Sequence, residues 1–234
     1  MACRGTHCVT PYRIALYYAP AKDDPLHQRA SAWLGRDAVT GTALPQKPVA
    51  GVDIAEVTTD ARGYGFHATL KPPFRLQGEV SATLQTARQF AARTAPFALP
   101  PLQITDLDGF LALRESLPCP ALQLLADGAV TTLDAHRAPP TEAEIARRKP
   151  EHLSPRQREY LQDWGYPYVF AEWRFHMTLT RRLTPTEKAI MLPAVTEALG
   201  DAPALSRTIS DICVFTQAAP GAPFTILERL TLRG

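Results

Sequence analysis

Phe66-His67-Ala68-Thr69-Leu70 and Phe175-His176-Met177-Thr178-Leu179 are two copies of one pattern. Each precedes an Ala-rich or Pro-started stretch with helical character, and each alternates large apolar residues with polar ones. Side chains alternate faces along a strand, so Phe66, Ala68 and Leu70 are expected to point into a core, with His67 and Thr69 together on the opposite face. In the second copy Phe175, Met177 and Leu179 are expected inside, and His176, Thr178 and Thr180 on the other face. A single His-x-Thr carries little information. Its repetition in the same local setting points to an internal duplication with one histidine per half.

Around the two copies, Arg13–Ala19 reads as a strand stopped by Pro20. Asp24 and Pro25 open a helix that ends before Gly35. Residues 36–60, with Gly41, Pro45, Pro48 and Gly51, read as an irregular connection or flap. After the first motif come a helix over Ser81–Thr94 and strands over Leu102–Leu107 and Phe110–Arg114. The order is expected to restart with a strand at Leu122–Leu125 and a helix over Ala129–Arg137. An insertion over about 139–165 follows, closed by a helix from Ser154-Pro155 to Gly165, and its charged part up to Lys149 is a candidate lid. Then come a strand over Glu172–Thr180, a helix opened by Thr184-Pro185 and interrupted by Pro193, and strands over Ile209–Phe215 and Phe224–Leu232. Helices interspersed with hairpin-joined strands predict an α+β fold with antiparallel sheets. The division expected is a tail over 1–11, a first lobe over 12–117 and a second lobe over 118–234, with a cleft between them.

Composition narrows the chemistry. The 234 residues can bury a sizeable core, and no apolar run approaches the roughly 18 residues of a membrane span. The opening residues lack the apolar stretch of a secretory signal, so a cytoplasmic protein is expected. A net charge of +2 is too small to grip long nucleic acid and suits a small phosphorylated sugar or nucleotide. A monomer is expected. Cys3, Cys8, Cys119 and Cys213 show no paired metal spacing, and Cys3, His7 and Cys8 make a poor candidate site. Asp134-x-His136 is the one other fragment resembling metal ligands, and a solvated helix face is the simpler reading. No Gly-x-Ser-x-Gly elbow is present. Neither a metal nor a cofactor is expected.

The two His-x-Thr strands resemble those of the 2H phosphoesterase superfamily, which includes RNA ligase-like and cyclic phosphodiesterase members. Trp33-Leu34-Gly35-Arg36-Asp37, Tyr64-Gly65-Phe66-His67-Ala68-Thr69-Leu70-Lys71-Pro72-Pro73-Phe74 and Trp164-Gly165-Tyr166-Pro167-Tyr168-Val169 resemble its phosphonate-operon-associated subfamily. The resemblance spans about Tyr12–Leu232 and implies a duplicated two-lobe (LigT-like) fold, two antiparallel sheets flanking a central cleft with helices outside. It implies acid–base catalysis by His67 and His176 on a cyclic phosphodiester, with a ribose cyclic phosphate as leading substrate. A nucleoside or RNA-end 2',3'-cyclic phosphate is the alternative, and a non-catalytic nucleotide or RNA-end binder the alternative of another class. Thr69 and Thr178 would hydrogen-bond the phosphate oxygens. Lys71 and Arg174 are candidate phosphate contacts, and Arg62 and Arg181 weaker cationic candidates; Tyr17, Tyr64, Tyr168 and Trp173 are weaker substrate-binding candidates, for each of which plain packing is the competing reading.

Overall fold

The computed structural model describes residues 11–234, so the expectations for residues 1–10, including Cys3, His7 and Cys8, lie outside the described residues. Elements run β1 (Arg13–Tyr18), α1 (Pro25–Leu34), α2 (Ile54–Val57), α3 (Thr59–Tyr64), β2 (Ala68–Phe74), α4 (Val80–Arg93), β3 (Phe97–Leu99), β4 (Leu102–Leu107) and β5 (Phe110–Glu115). They continue with α5 (Pro120–Leu133), α6 (Glu142–Ala146), α7 (Pro155–Trp164), β6 (Met177–Arg182), α8 (Pro185–Leu199), β7 (Arg207–Ile209), β8 (Asp211–Gln217) and β9 (Phe224–Thr231). The fold is α+β, and all strand pairs are antiparallel.

Local chemistry places most helix ends. Asp24 caps α1 through Leu26 N–H, and Gly35 closes it in the left-handed region. Reciprocal Ser154/Gln157 and Thr184/Glu187 bonds open α7 and α8. Pro193 sits inside α8 without ending it. The connection after α1 is irregular until Asp53 caps α2.

One strand expectation is overturned. Leu122–Leu125 belongs to α5, opened by Pro120, in which Leu122, Leu125, Ala126, Ala129, Val130 and Leu133 are buried at helical spacing. Read as a short apolar run, the segment looked like a strand; the 3.6-residue period over its full length decides for a helix. A 3-10 turn at Phe170–Glu172 delays β6 to Met177, five residues later than expected.

Seven strands follow the order β4-β5-β6-β2-β1-β8-β9, while β3 and β7 form a separate pair. The two expected sheets, β6-β5-β4 and β2-β1-β8-β9, meet at a thin seam: Ala68 opposite Met177 is the sole register pair between β2 and β6. About this seam β5 mirrors β1 and β4 mirrors β8. The repeating unit is therefore strand, helix, motif strand, helix, short strand, strand, starting at β1 and again at β5. This moves the repeat boundary from residue 117 to the Asp108-Gly109 hairpin. The lobes also exchange parts. The β2-β1-β8-β9 sheet takes β8 and β9 from the second half and is covered by α4 and α5, whereas β6 is covered by α1 and α3, with α8 packed on α1. A cut between 117 and 118 divides neither sheet from the other, because β5–β6 and β1–β8 pairing and helix cover cross it.

One face of the sheet packs on the helices, with Ala68, Leu70, Leu113, Met177 and Leu179 fully buried. The opposite face carries a smaller apolar cluster, with Tyr17, Cys213, Phe215 and Phe224 packed near Tyr64. Beside that cluster, over the seam, the two motifs surface.

Candidate active site

His67 and His176 each lie one residue ahead of their strand, β2 and β6. Continuing the Ala68–Met177 pairing by one residue each way sets His67 across from Thr178 and Thr69 across from His176. Both histidines and both threonines thus fall on one face, as the alternation predicted. The histidines take opposite corners of the rectangle and the threonines the other two.

Each ring is anchored alike. His67 Nδ1–H donates to the Gly65 carbonyl at 2.8 Å, and His176 Nδ1–H to the Arg174 carbonyl at 2.9 Å. A proton held on Nδ1 leaves Nε2 as the nitrogen free for chemistry. At His67 that nitrogen lies 3.3 Å from Thr69 Oγ1. The Gly65 anchor needs glycine: its φ is +79°, and a Cβ there would meet Ala38 Cβ at 2.4 Å.

The two environments differ. Tyr17, fully buried, stacks on the His67 ring with centroids 3.9 Å apart, and Tyr64 stands 5.9 Å away. Burial pushes the His67 pKa down to about 4, outweighing the Gly65 hydrogen bond that raises it; His176 lowers it further. His176 has no stacked ring; the edge of Phe110 stands 5.9 Å from it among the described residues. Its pKa is lowered by burial, raised by the Arg174 carbonyl, then lowered by Arg114 and raised by Glu115. Leu113 pairs with Met177, so the next step of the register sets Arg114 beside His176.

A cleft of about 520 Å³ opens over this face, and Thr69, Tyr166, Tyr168, Trp173, Arg174 and His176 line it. Trp173 also donates its indole N–H to the Thr69 carbonyl at 2.9 Å, tying the cleft wall to β2. Exposed Arg174 and half-exposed Tyr168 remain on the cleft as expected. Tyr17 does not: it backs His67 from inside the protein. Tyr64 is half-buried and stacks on Phe224 at 5.1 Å.

Three expected cationic contacts are corrected. Lys71 is 2% exposed, and its ammonium donates to the Val130 carbonyl at 3.0 Å and to Asp134 at 2.9 Å, on the helix side. The reason is a bulge: Tyr17 pairs with Thr69 but Leu16 with Lys71, so β2 gains one residue and the alternation flips. β6 is also irregular beyond Thr178: Ala112 pairs with Thr178 but Phe110 with Arg182, so β6 gains two residues. Thr180, the residue equivalent to Lys71, is accordingly buried and accepts from Leu111 N–H at 3.0 Å. Arg62 turns to Gln46, the Ala55 carbonyl and Thr59. Arg181 pairs with Glu56 at 2.7 Å and Glu187 at 2.9 Å. Nor is Asp134-x-His136 a solvated face. Asp134 bridges Lys71 and Arg137, and His136 bonds Thr86. Among the described residues no group of three His, Cys, Asp or Glu side chains converges to hold a metal ion.

Sequence reading passed over Phe110, Arg114, Tyr166 and Arg182. Phe110 and Arg114 are reached only through β5–β6 register, which a single strand does not disclose. Tyr166 had a local signal, since it follows the helix-closing Gly165 in a stretch rich in aromatics. Arg182 lines the cleft while donating to the Asp108 carbonyl at 2.6 Å.

Comparison with known proteins adds the family. Residues 69–225 match the family described as "Protein of unknown function (DUF1045)", and the chain belongs to that family. Two proteins named "Ribose 1,5-bisphosphate phosphokinase PhnN" are similar. The one from Janthinobacterium sp. (strain Marseille) is 37% identical over 231 residues, 95% of this chain and 51% of that protein. The one from Laribacter hongkongensis (strain HLHK9) is 36% identical over 224 residues, 94% and 52%. The chain spans about half the length of the curated relatives it matches. Among solved structures, E. coli LigT in apo form gives a TM-score of 0.48 at 15% identity, covering 96% of this chain and 99% of that one. LigT complexed with 3'-AMP gives 0.44 at 14%, with the same coverage. No helix among the described residues is long and apolar enough to cross a membrane.

Proposed function

We propose that the chain is a 2H-type phosphodiesterase that opens a small cyclic phosphodiester by two-histidine acid–base catalysis, with no metal in the reaction. The observation that carries this is the pair of His-x-Thr motifs on one sheet face, both rings anchored to a backbone carbonyl through Nδ1, which leaves Nε2 as the nitrogen for proton transfer.

His67 is the base. It is the more enclosed ring, it is neutral well below pH 7, and its Nε2 holds a lone pair. It takes a proton from the attacking water as the water oxygen bonds to phosphorus. His176 gives its Nε2 proton to the ring oxygen as the phosphorus–oxygen bond breaks. The substrate's negative charge raises both imidazole pKa values on binding, and His176, beside the open cleft, then carries the proton. The Thr69 and Thr178 hydroxyls donate to the non-bridging oxygens, where charge grows in the transition state.

The leading substrate is the 1,2-cyclic phosphate of a ribose 5-phosphate. Breaking its O2–P bond with water yields ribose 1,5-bisphosphate, the compound in the names of the two relatives. A nucleoside or RNA-end 2',3'-cyclic phosphate is the second reading, supported by the roomy cleft with Tyr168 and Trp173 on its wall. The test is product formation followed by phosphorus NMR, with EDTA present, on ribose 1,2-cyclic phosphates, nucleoside 2',3'-cyclic phosphates and short cyclic-ended RNAs. Turnover of the ribose ester alone supports the first reading, and preference for the nucleotides the second. Binding without turnover on the whole panel would leave a non-catalytic binder.

A further inference from the structure

The insertion and the start of β1 enclose a second, smaller cavity of about 40 Å³, lined by Arg13, Arg75, Arg137, Glu144, Arg147 and Arg148. A single water needs roughly 10–15 Å³ of such space, so the cavity suits a phosphoryl-sized group. Five guanidinium groups face one carboxylate. Arg75 is neutralised by Glu144 at 3.1 Å, and Arg137 by Asp134 at 2.8 Å. Arg13, Arg147 and Arg148 have no carboxylate partner among the described residues. Arg13 bonds Gln217 at 2.8 Å and lies 5.4 Å over the Phe224 ring. Clustered, uncompensated guanidinium groups repel one another, and a bound anion offsets that cost through forked hydrogen bonds.

This cavity adjoins the catalytic cleft. The Arg148 guanidinium sits 4.6 Å over the Tyr166 ring, and Tyr166 lines the cleft that holds Thr69 and His176. On the other side Arg13 begins the strand whose Tyr17 stacks on His67. The Tyr166 ring thus stands between the Arg148 guanidinium and the cleft. We propose that Arg13, Arg147 and Arg148 form a monoester subsite, binding a terminal phosphate on the same molecule whose cyclic ester is opened at His67 and His176. The proposal rests on the phosphodiesterase reading and narrows its substrate to a compound with two phosphorus centres. The insertion then acts as a specificity element, not only as a cover.

The experiment measures kcat and KM on ribose 1,2-cyclic phosphate with and without a 5-phosphate, for wild type, Arg147→Ala, Arg148→Ala and Arg148→Lys. The expected result is a wild-type preference for the 5-phosphorylated ester that falls at least tenfold in Arg148→Ala, through KM, with the plain ester unaffected. Arg147→Ala falls in the same way, and Arg148→Lys keeps part of the preference. Equal losses on both esters, or none, would overturn the subsite. If wild type turns over neither ester, the phosphodiesterase reading fails on its own. Calorimetric titration with ribose 5-phosphate and with ribose then decides the subsite: binding of ribose 5-phosphate that Arg148→Ala leaves unchanged, or no preference over ribose, overturns it.

Discussion

His67 is held neutral by its surroundings, and this has a pH signature. Its pKa is about 4 folded against roughly 6.5 in an unfolded chain. Between those values the unfolded state binds the extra proton, so stability falls as pH drops from 6.5 towards 4. The loss is up to about 3 kcal/mol. Denaturant titrations at stepped pH should show this slope in wild type and a flatter one in His67→Asn. In kcat/KM the acidic limb should lie near pH 4 and the alkaline limb below the ordinary histidine value, since His176 is also lowered. An acidic limb above pH 6 would contradict a lowered pKa at His67. At Gly65 an added methyl group collides with Ala38 and leaves the backbone strained. Gly65→Ala should therefore lower stability and also cut kcat, because the carbonyl that orients His67 moves with it.

The bulges in β2 and β6 explain what sequence could and could not disclose. Alternation placed His67, Thr69, His176 and Thr178 on one face because it holds up to the motif threonines. Past them each strand gains residues, and Lys71 and Thr180 swing to the buried side. A bulge is set by the partner strand, so nothing in Thr69-Leu70-Lys71 announces it. Likewise the start of α5 reads as a strand because Leu122, Leu124 and Leu125 fit either period, whereas the helical spacing emerges only over the whole of 120–133. Lys71 is thus a structural group. Asp134→Ala strands a buried ammonium and should cost about 3 kcal/mol or more, whereas Lys71→Met combined with it should recover much of the loss. Chemical denaturation of wild type and the two variants checks this.

Across the whole molecule, the duplicated units do not fold side by side. Strands β8 and β9 from the second half complete the sheet begun by β1 and β2, and α1 and α3 from the first half cover β6. A chain divided at Gly109 should give two fragments that stay largely unfolded apart and regain far-UV and near-UV circular dichroism when mixed. Independent folding of either would contradict this exchange. The exchange also ties the two motifs together at the seam, where neither histidine is useful alone. That interdependence bears on the central claim, and the most direct measurement is turnover of the preferred cyclic ester in EDTA by wild type, His67→Ala, His176→Ala and the double variant. The account predicts that chelation leaves wild type active and that each single variant loses about 10²–10⁴-fold. It also predicts that the double variant is little worse than either single one, because base and acid act as a unit. Activity abolished by EDTA, or a single variant close to wild type, would contradict it.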